Sequence, residues 1–262
     1  MTNTKTNRIK SMLTVDFRRM FTTRFLYIMV GICLVMPILI LVMTTMMDGS
    51  VTVDPQTGAE TVMEGFKNTW QAIGSLPGEG GMMDMSLTGM CNINMLYFFI
   101  VVLVGVFVAE DFRSGYAKNI FTVRAKKGDY VISKTLVCFV GSALMFLAYF
   151  AGAMLGGAVS GLPFDTGTFG IGGVVMCMLS KLFMTAVFVG ISLLISVAAK
   201  QKTWLSIVGG LMASMLLYTM VPMITPLDSG MMNVILCLAG GVLFSIGLGA
   251  VSKMILKRTS LV

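Results

Sequence analysis

The residues of this chain that could do chemistry are few, and their types exclude most catalytic sites. None of the 262 residues is histidine, so no histidine-based catalytic triad or metal cluster can form. No Gly-x-x-x-x-Gly-Lys-Ser/Thr phosphate loop is present, so we expect no ATPase site in this chain. The five cysteines are dispersed, and four fall in apolar runs, where they are predicted to behave as small hydrophobic side chains. We therefore predict that the chain is not an enzyme and binds no cofactor of its own.

Methionine thioethers are the remaining metal ligands to consider. They suit Cu(I), and a group of them falls in segments expected outside the membrane, namely Met82, Met83, Met85, Met231 and Met232. However, the 26 methionines are scattered through every apolar run, which favours flexible apolar filler. The sequence predicts no metal site.

Lys181 is a basic residue inside an apolar run. If that helix begins near Gly172, Lys181 lies about 13 Å from its outer end, at about 1.5 Å per residue. A buried ammonium group would face a cavity or a partner and would be the best candidate to touch an anionic group of a substrate. Alternatively, the helix begins later and Lys181 reaches the outer headgroups. The sequence leaves both readings open.

The richest polar segment is 109–134, AEDFRSGYAKNIFTVRAKKGDYVISK, which separates two long apolar runs. Phe112, Tyr116 and Ile120 follow one another at a spacing of four residues, with Phe121 beside them. This spacing predicts a short amphipathic helix over residues 111–122. Such a helix would lie against a soluble partner and pass force between that partner and the membrane.

The elements that position this segment are predicted to be membrane-spanning helices. Of the residues, 56% are hydrophobic and 12% charged, whereas soluble domains have roughly 25% charged residues. An all-α, polytopic membrane protein with six spans follows, since lipid leaves no partner for unpaired backbone amides. The predicted spans are 25–47, 93–109, 131–158, 172–199, 203–221 and 233–252, in a single transmembrane domain.

Charge placement predicts the orientation of these spans. Alternate connecting segments, including both termini, hold 17 of the 19 basic residues, and the other segments are mostly acidic. The positive-inside rule then places both termini in the cytoplasm. The net charge of +7 is spread over separate inner segments and forms no single patch, so nucleic-acid binding is not predicted.

Three connecting segments carry further predictions. Residues 8–22 place Ile9, Leu13 and Phe17 on one face, which favours a helix lying along the inner membrane surface over a floppy basic tail; no cleaved signal peptide is expected. The outer loop 48–90 is turn-rich, with a possible helix at Glu60–Ile73. The connection between spans five and six is either a plain loop or a re-entrant dip.

Small residues at four-residue spacing predict close helix packing, within the chain or with a second subunit. They are Gly152 and Gly156, the pair Gly209 and Gly210, and Gly241 with Ser245 and Gly249.

A family resemblance rests on the segment after span two. Glu110, Gly115, Lys118-Asn119 and, after a basic linker, Ser133-Lys134 resemble the pattern Glu-x(4)-Gly-Thr-x-Lys-Asn, basic segment, Ser-Lys of type-2 ABC exporter membrane subunits. Tyr116 stands where threonine is usual, and Arg124 stands where a small residue is usual. The chain is similar to the six-span members of this group, in particular to exporters of antimicrobial peptides such as lantibiotics.

The resemblance implies a mechanism and a set of partners. Residues 111–122 would form the coupling helix on a separate ABC ATP-binding subunit, present in two copies, which would use ATP and magnesium. A second permease subunit, identical or related, would complete the pathway in a bacterial cell membrane. The implied coupling residues are Glu110 at the helix start, Gly115, Lys118, Asn119, Lys134 and the apolar anchors Phe112, Tyr116 and Phe121.

The implied function is ATP-driven export of an amphiphilic or hydrophobic compound, such as an antimicrobial peptide or drug. The competing hypothesis is an ATPase-independent membrane channel, regulator or assembly scaffold, which would need no docking helix. A secondary transporter is disfavoured, since neither internal repeats nor acidic residues in the middle of a span are evident.

Overall fold

The computed structural model of the chain is built almost entirely from α-helices. It describes residues 2–53, 60–75, 89, 91–123 and 126–258. The principal helices are α1 (Thr2–Thr22), α2 (Arg24–Met47), α3 (Leu96–Arg113), α4 (Tyr116–Val123), α5 (Lys127–Ser160), α6 (Gly170–Ala199), α7 (Thr203–Tyr218), α8 (Val221–Ile224) and α9 (Met231–Arg258). Single 3₁₀ turns cover Thr69–Ala72 and Ile93–Met95.

Five of these helices, α2, α3, α5, α6 and α9, are long and apolar enough to cross a membrane. The chain is therefore a multi-pass membrane protein. The helix α7 has 16 residues and covers about 24 Å, less than the roughly 30 Å of a hydrocarbon core. The helix at the predicted sixth span, 203–221, thus ends at Tyr218, and its crossing of the membrane stays a prediction.

Helix α3 lies at the centre of the bundle. Its residues Ile100 and Val104 are fully buried, and Tyr97 packs between Phe146 of α5 and Phe188 of α6. The ring centroids of Tyr97 and Phe188 are 4.2 Å apart. A helix enclosed on all sides needs apolar residues all round, which explains why the run from Leu96 to Ala109 has no polar face.

Glycine brings α2 and α5 into backbone contact. A Cβ atom at Gly152 would lie 2.1 Å from the carbonyl oxygen of Leu34, and one at Gly156 would lie 2.9 Å from the Cα of Ile38. Gly241 of α9 similarly lies against the backbone of α6, 2.6 Å from the Phe183 carbonyl oxygen by the same measure. The predicted close packing is therefore present between helices of this one chain.

The segment after α2 is only partly described. Strands β1 (Val51–Val53) and β2 (Glu60–Val62) form an antiparallel pair in the register Val51 to Val62. The possible helix at Glu60–Ile73 was wrong: its first residues pair in β2, and Thr69–Ala72 forms a 3₁₀ turn. Between them the backbone amide of Gly65 donates to the Asp48 carboxylate at 2.8 Å, which holds an extended segment beside the end of α2. Met82, Met83 and Met85 lie outside the described residues, whereas Met231 and Met232 are exposed.

The connection between α7 and α9 packs inward. After the short helix α8, Thr225 and Leu227 are fully buried, and Leu227 packs with Cys177 and Val174 of α6. Cys177 lies about 10 Å along α6 from Gly170, at about 1.5 Å per residue. The segment therefore packs into the bundle beside α6, and whether it dips into the membrane stays a prediction.

Candidate functional site: the polar junction of α1, α3, α4 and α5

The predicted helix over residues 111–122 is divided in two. Helix α3 continues to Arg113, and α4 begins at Tyr116. Gly115 between them has a φ of 74°, a conformation that is open to glycine and costly for other residues. The interpretation of Phe112, Tyr116 and Ile120 as a ladder on one continuous helix was therefore wrong, because the helix axis changes at Gly115.

Glu110 was expected to fix the start of the coupling helix, and the structure places it in the last turn of α3. A carboxylate is disfavoured there by the helix dipole. Arg113 compensates, with its Nη2 atom 3.1 Å from Glu110 Oε2; the Arg113 side chain is largely exposed and the Glu110 side chain is half-exposed. The Glu110 carbonyl oxygen also accepts hydrogen bonds from the amide and hydroxyl of Ser114, which ends the helix.

The aromatic residues expected to anchor a partner pack against their own chain. Phe112 is buried, and its ring meets Tyr130 of α5 edge-on at 6.4 Å. Phe121 of α4 meets the same Tyr130 ring at 5.3 Å. The end of α3 and helix α4 therefore both pack against Tyr130, and the apolar face of α4 is directed at α5.

The opposite face of α4 is polar and exposed. Lys118, Asn119 and Thr122 lie on this face, and Arg113 and Ser114 extend it across the turn. The side chains of Lys118 and Asn119 have no ion pair or hydrogen bond with the part of the chain that the structure describes. Any partner at this surface would therefore meet charged and amide groups first.

Lys134 was expected to take part in partner coupling, and the structure buries it completely. Its Nζ atom lies 2.8 Å from Asp16 Oδ1 of α1 and 2.7 Å from Asp111 Oδ2 of α3. Arg19 of α1 completes the group, with Nη1 2.6 Å from Asp111 Oδ1. These four residues, called the ion cluster below, carry two positive and two negative charges and join three helices.

Hydroxyl groups also donate hydrogen bonds to the carboxylate oxygens of the ion cluster. Ser133 donates to Asp16 Oδ2 at 2.6 Å, and Tyr130 donates to Asp111 Oδ2 at 2.8 Å. Tyr116, the first residue of α4, donates to Asp16 Oδ1 at 3.4 Å. Buried charges are tolerated only when they are paired and hydrogen-bonded, and this group meets both conditions.

Arg19 and Tyr116 form the link between the ion cluster and α4. The guanidinium carbon of Arg19 lies 3.8 Å from the centre of the Tyr116 ring, within cation–π distance. Burial lowers the pKa of Arg19, but the adjacent Asp111 carboxylate outweighs it and the pKa lies above its ordinary value. Partial burial and the Asp16 carboxylate raise the pKa of Tyr116, against the opposing effect of Arg19. Both groups therefore hold their protons at neutral pH.

The N-terminal segment is helical, and it packs on α5 through polar contacts as well as apolar ones, whereas its place along the inner membrane surface stays a prediction. Arg8 of α1 binds Asp129 of α5 at 2.6 Å, in addition to the contacts of Asp16 and Arg19. Sequence reasoning overlooked Asp16. A signal was present, because Asp16 is an acidic residue that falls on the same helical face as Met12 and Met20, both buried.

Lys181 is buried, which decides between the two alternatives left open by the sequence. Its Nζ atom donates to Asn94 Oδ1 at 2.6 Å and to Thr225 Oγ1 at 3.0 Å. Tyr97 donates to the Lys181 carbonyl at 2.9 Å. The ammonium group thus joins α6 to the start of α3 and to the inward segment after α8, and it lies far from the ion cluster along the spans.

Sequence comparison decides the family. Residues 13–221 match the family model described as ABC-2 family transporter protein. The chain belongs to this family. The match runs from α1 to the start of α8 and includes the whole ion cluster and α4. No curated protein and no solved structure matches the chain.

Membership of the ABC-2 family makes the chain a membrane component of an ABC transporter. Membrane subunits of this family generally work with separate ATP-binding subunits. The family match agrees with the prediction that the chain is an ABC permease. It does not distinguish exporters of antimicrobial peptides from other members of the family.

Proposed function

We propose that this ABC-2 protein is the translocation subunit of an ATP-driven exporter and that the exposed face of α4 docks on a separate ABC ATP-binding subunit. The observation that carries the proposal is the two-sided character of α4. One face rests on Tyr130 of α5 through Phe121, and the other presents Lys118 and Asn119 to solvent. A short helix attached on one side and open on the other suits the transfer of force.

The ion cluster supports this role because it connects α4 to the spans through short polar contacts. Tyr116 at the start of α4 contacts Arg19 and Asp16 of α1. Lys134 of α5 in turn binds Asp16 of α1 and Asp111 of α3. A displacement of α4 would therefore move α1, α3 and α5 together. Alternating access in this proposal is a rigid-body movement of these helices, driven by closure of the ATP-binding subunits.

The complete complex contains two ATP-binding subunits, which use ATP and magnesium, and a second permease subunit, identical or related. It resides in a bacterial cell membrane with the termini and α4 in the cytoplasm. The cargo is an amphiphilic or hydrophobic compound of the antimicrobial-peptide or drug type, because apolar surfaces rich in methionine accommodate varied ligands. Lys181 would reach an anionic group of the cargo only when its bonds to Asn94 and Thr225 open.

Co-purification with the ATP-binding subunit tests the docking surface. The double variant Lys118→Glu with Asn119→Ala is expected to lose at least about 90% of the bound ATP-binding subunit, since it reverses a charge on the exposed face. In liposomes, the wild-type complex is expected to hydrolyse ATP faster when an amphiphilic peptide is added. The loss of binding should abolish this stimulation.

The matched control is Gln201→Ala with Lys202→Glu. These two exposed residues lie between α6 and α7, on the same predicted side of the membrane. The control should retain the ATP-binding subunit, and both double variants should insert into membranes and melt like the wild type. Retention of the ATP-binding subunit by the α4 variant would contradict the docking surface. Failure of the wild type to bind any ATP-binding subunit would instead favour the channel or scaffold alternative.

A further inference from the structure

A groove runs along the lipid-facing side of the bundle, where α5 and α9 separate over α6. Its volume is 580 Å³. Its walls and floor are apolar along most of its length, and they include Ile132, Leu136 and Phe139 of α5, Phe183 of α6, and Val242 and Ile246 of α9. Helix α9 packs closely on α6 at Gly241, one of the residues that line the groove.

One end of the groove is positively charged. Among the described residues that line the groove, Lys253 is the one with a charged side chain. This side chain is exposed, and it forms no ion pair or hydrogen bond with the described residues. Lys257 is also exposed and lies one turn further along α9, on the same face. Lys127 at the start of α5 donates to the carbonyl oxygen of Leu256 and adds positive charge nearby. The acidic residue beside the lining residue Gly128, Asp129, is paired with Arg8, so the counter-charge of Lys253 and Lys257 is left to a ligand.

The groove is long enough to hold an acyl chain of one membrane leaflet. Along α9 it extends from Leu238 to Lys253, which is about 22 Å at about 1.5 Å per residue. Half of a hydrocarbon core is about 15 Å thick. A ligand that fills the groove therefore has a long apolar part lying at a tilt and an anionic group at the level of the headgroups on the basic side.

We propose that this groove binds one anionic phospholipid of that leaflet, with its phosphate at Lys253 and Lys257 and an acyl chain along α5 and α9. Basic pockets between spans on the cytoplasmic side are suited to anionic headgroups. A helix of a second copy of the chain would fit less well, because it would cover Lys253 without supplying a negative charge to an apolar interface. The proposal is independent of ATPase coupling, and α9 lies outside the matched residues 13–221.

Native mass spectrometry of the full-length chain in detergent tests the site. The chain is titrated with dioleoylphosphatidylglycerol and, separately, with dioleoylphosphatidylcholine. We expect one phosphatidylglycerol to bind at least about tenfold more tightly than phosphatidylcholine, from the attraction of basic residues for anionic headgroups. The double variant Lys253→Gln with Lys257→Gln should lose this preference, and Lys253→Arg with Lys257→Arg should retain it.

A second variant tests the apolar part of the groove. Ala250→Phe places a large side chain in the groove and should weaken binding of both lipids, whereas Ala239→Phe, at an exposed position of α9 outside the groove, should leave it unchanged. Lys200→Gln with Lys202→Gln is the control for charge. Equal binding of the two lipids, or unchanged binding in Ala250→Phe, would overturn the proposal. A change of oligomeric state in Ala250→Phe with lipid binding intact would assign the groove to a second copy.

Discussion

At the scale of single residues, Lys134 has a demanding environment. It is fully buried and lies within 3 Å of two carboxylates, Asp16 and Asp111, that belong to different helices. Desolvation of these three groups is expensive, and only their mutual pairing offsets it. The ion cluster therefore fixes the relative positions of its helices, because a displacement of any one of them leaves a charge unpaired.

Substitution Lys134→Met should destabilise the protein by about 3–5 kcal/mol, since it leaves two buried carboxylates facing a single guanidinium. The double variant Lys134→Met with Asp16→Asn removes one charge of each sign. It should cost clearly less than the sum of the two single variants. The thermal midpoint of the detergent-solubilised protein measures both effects.

Lys118→Met is the matched control, because Lys118 is exposed and has no ion pair with the described residues. Its midpoint should stay within a degree or two of the wild type. Additive costs in the double variant would show that Lys134 and Asp16 do not depend on one another. That result would remove the argument that the cluster locks α1 to α5.

The chemical types of the site residues could be predicted from the sequence, but their environments could not. Glu110, Lys118 and Lys134 all belong to one polar segment, and nothing in their spacing distinguishes exposed residues from buried ones. Lys134 is buried because Asp16, 118 residues earlier, is brought beside it by packing of α1 on α5. Partners so distant in sequence are set by tertiary structure, which a single sequence does not display.

At the scale of elements, apolar runs and turn residues determined most of the helices. The start of α2 and the extent of α6 agree with the predicted spans to within two residues, because a change from polar to apolar composition is a strong local signal. The division between α3 and α4 was missed, since Gly115 was treated as one residue of an amphipathic pattern. Its positive φ is the feature that ends the pattern.

The contact of α2 with α5 gives the element-scale prediction. Gly152→Ala should destabilise the protein by about 1–3 kcal/mol, because the new methyl group would overlap the Leu34 carbonyl and force the two helices apart. Gly247→Ala in α9 is the control. A Cβ atom there meets nothing within 4 Å, and alanine favours the helix by up to about 1 kcal/mol.

Chemical or thermal unfolding in mild detergent measures both glycine variants. The prediction concerns the difference between them, since any effect of alanine on the unfolded chain is common to both. Equal stability of the two variants would mean that α2 and α5 can separate at no cost. The interface would then be too loose to transmit a movement from α1 to the rest of the bundle.

At the scale of the whole molecule, charge is segregated along the spans. The ion cluster, the basic end of the groove and the exposed face of α4 lie at the ends of helices that carry most of the lysine and arginine residues. Lys181, Asn94 and Thr225 lie towards the other end. From this segregation the positive-inside rule predicts an orientation with α4 in the cytoplasm. The orientation also requires that α7 crosses the membrane, although it has only 16 residues.

Accessibility labelling of single introduced cysteines tests the orientation and the six-span topology together. In a Cys91→Ser background the other four native cysteines are buried, and Ser50, Ser114, Gln201 and Asp228 are exposed positions for substitution. An impermeant maleimide should label Ser50→Cys and Asp228→Cys on intact cells. It should label Ser114→Cys and Gln201→Cys only after permeabilisation.

If Gln201→Cys and Asp228→Cys label on the same side, α7 does not cross the membrane, because these positions lie on either side of it. If Ser114→Cys labels on intact cells, α4 is external and cannot meet a cytoplasmic ATP-binding subunit.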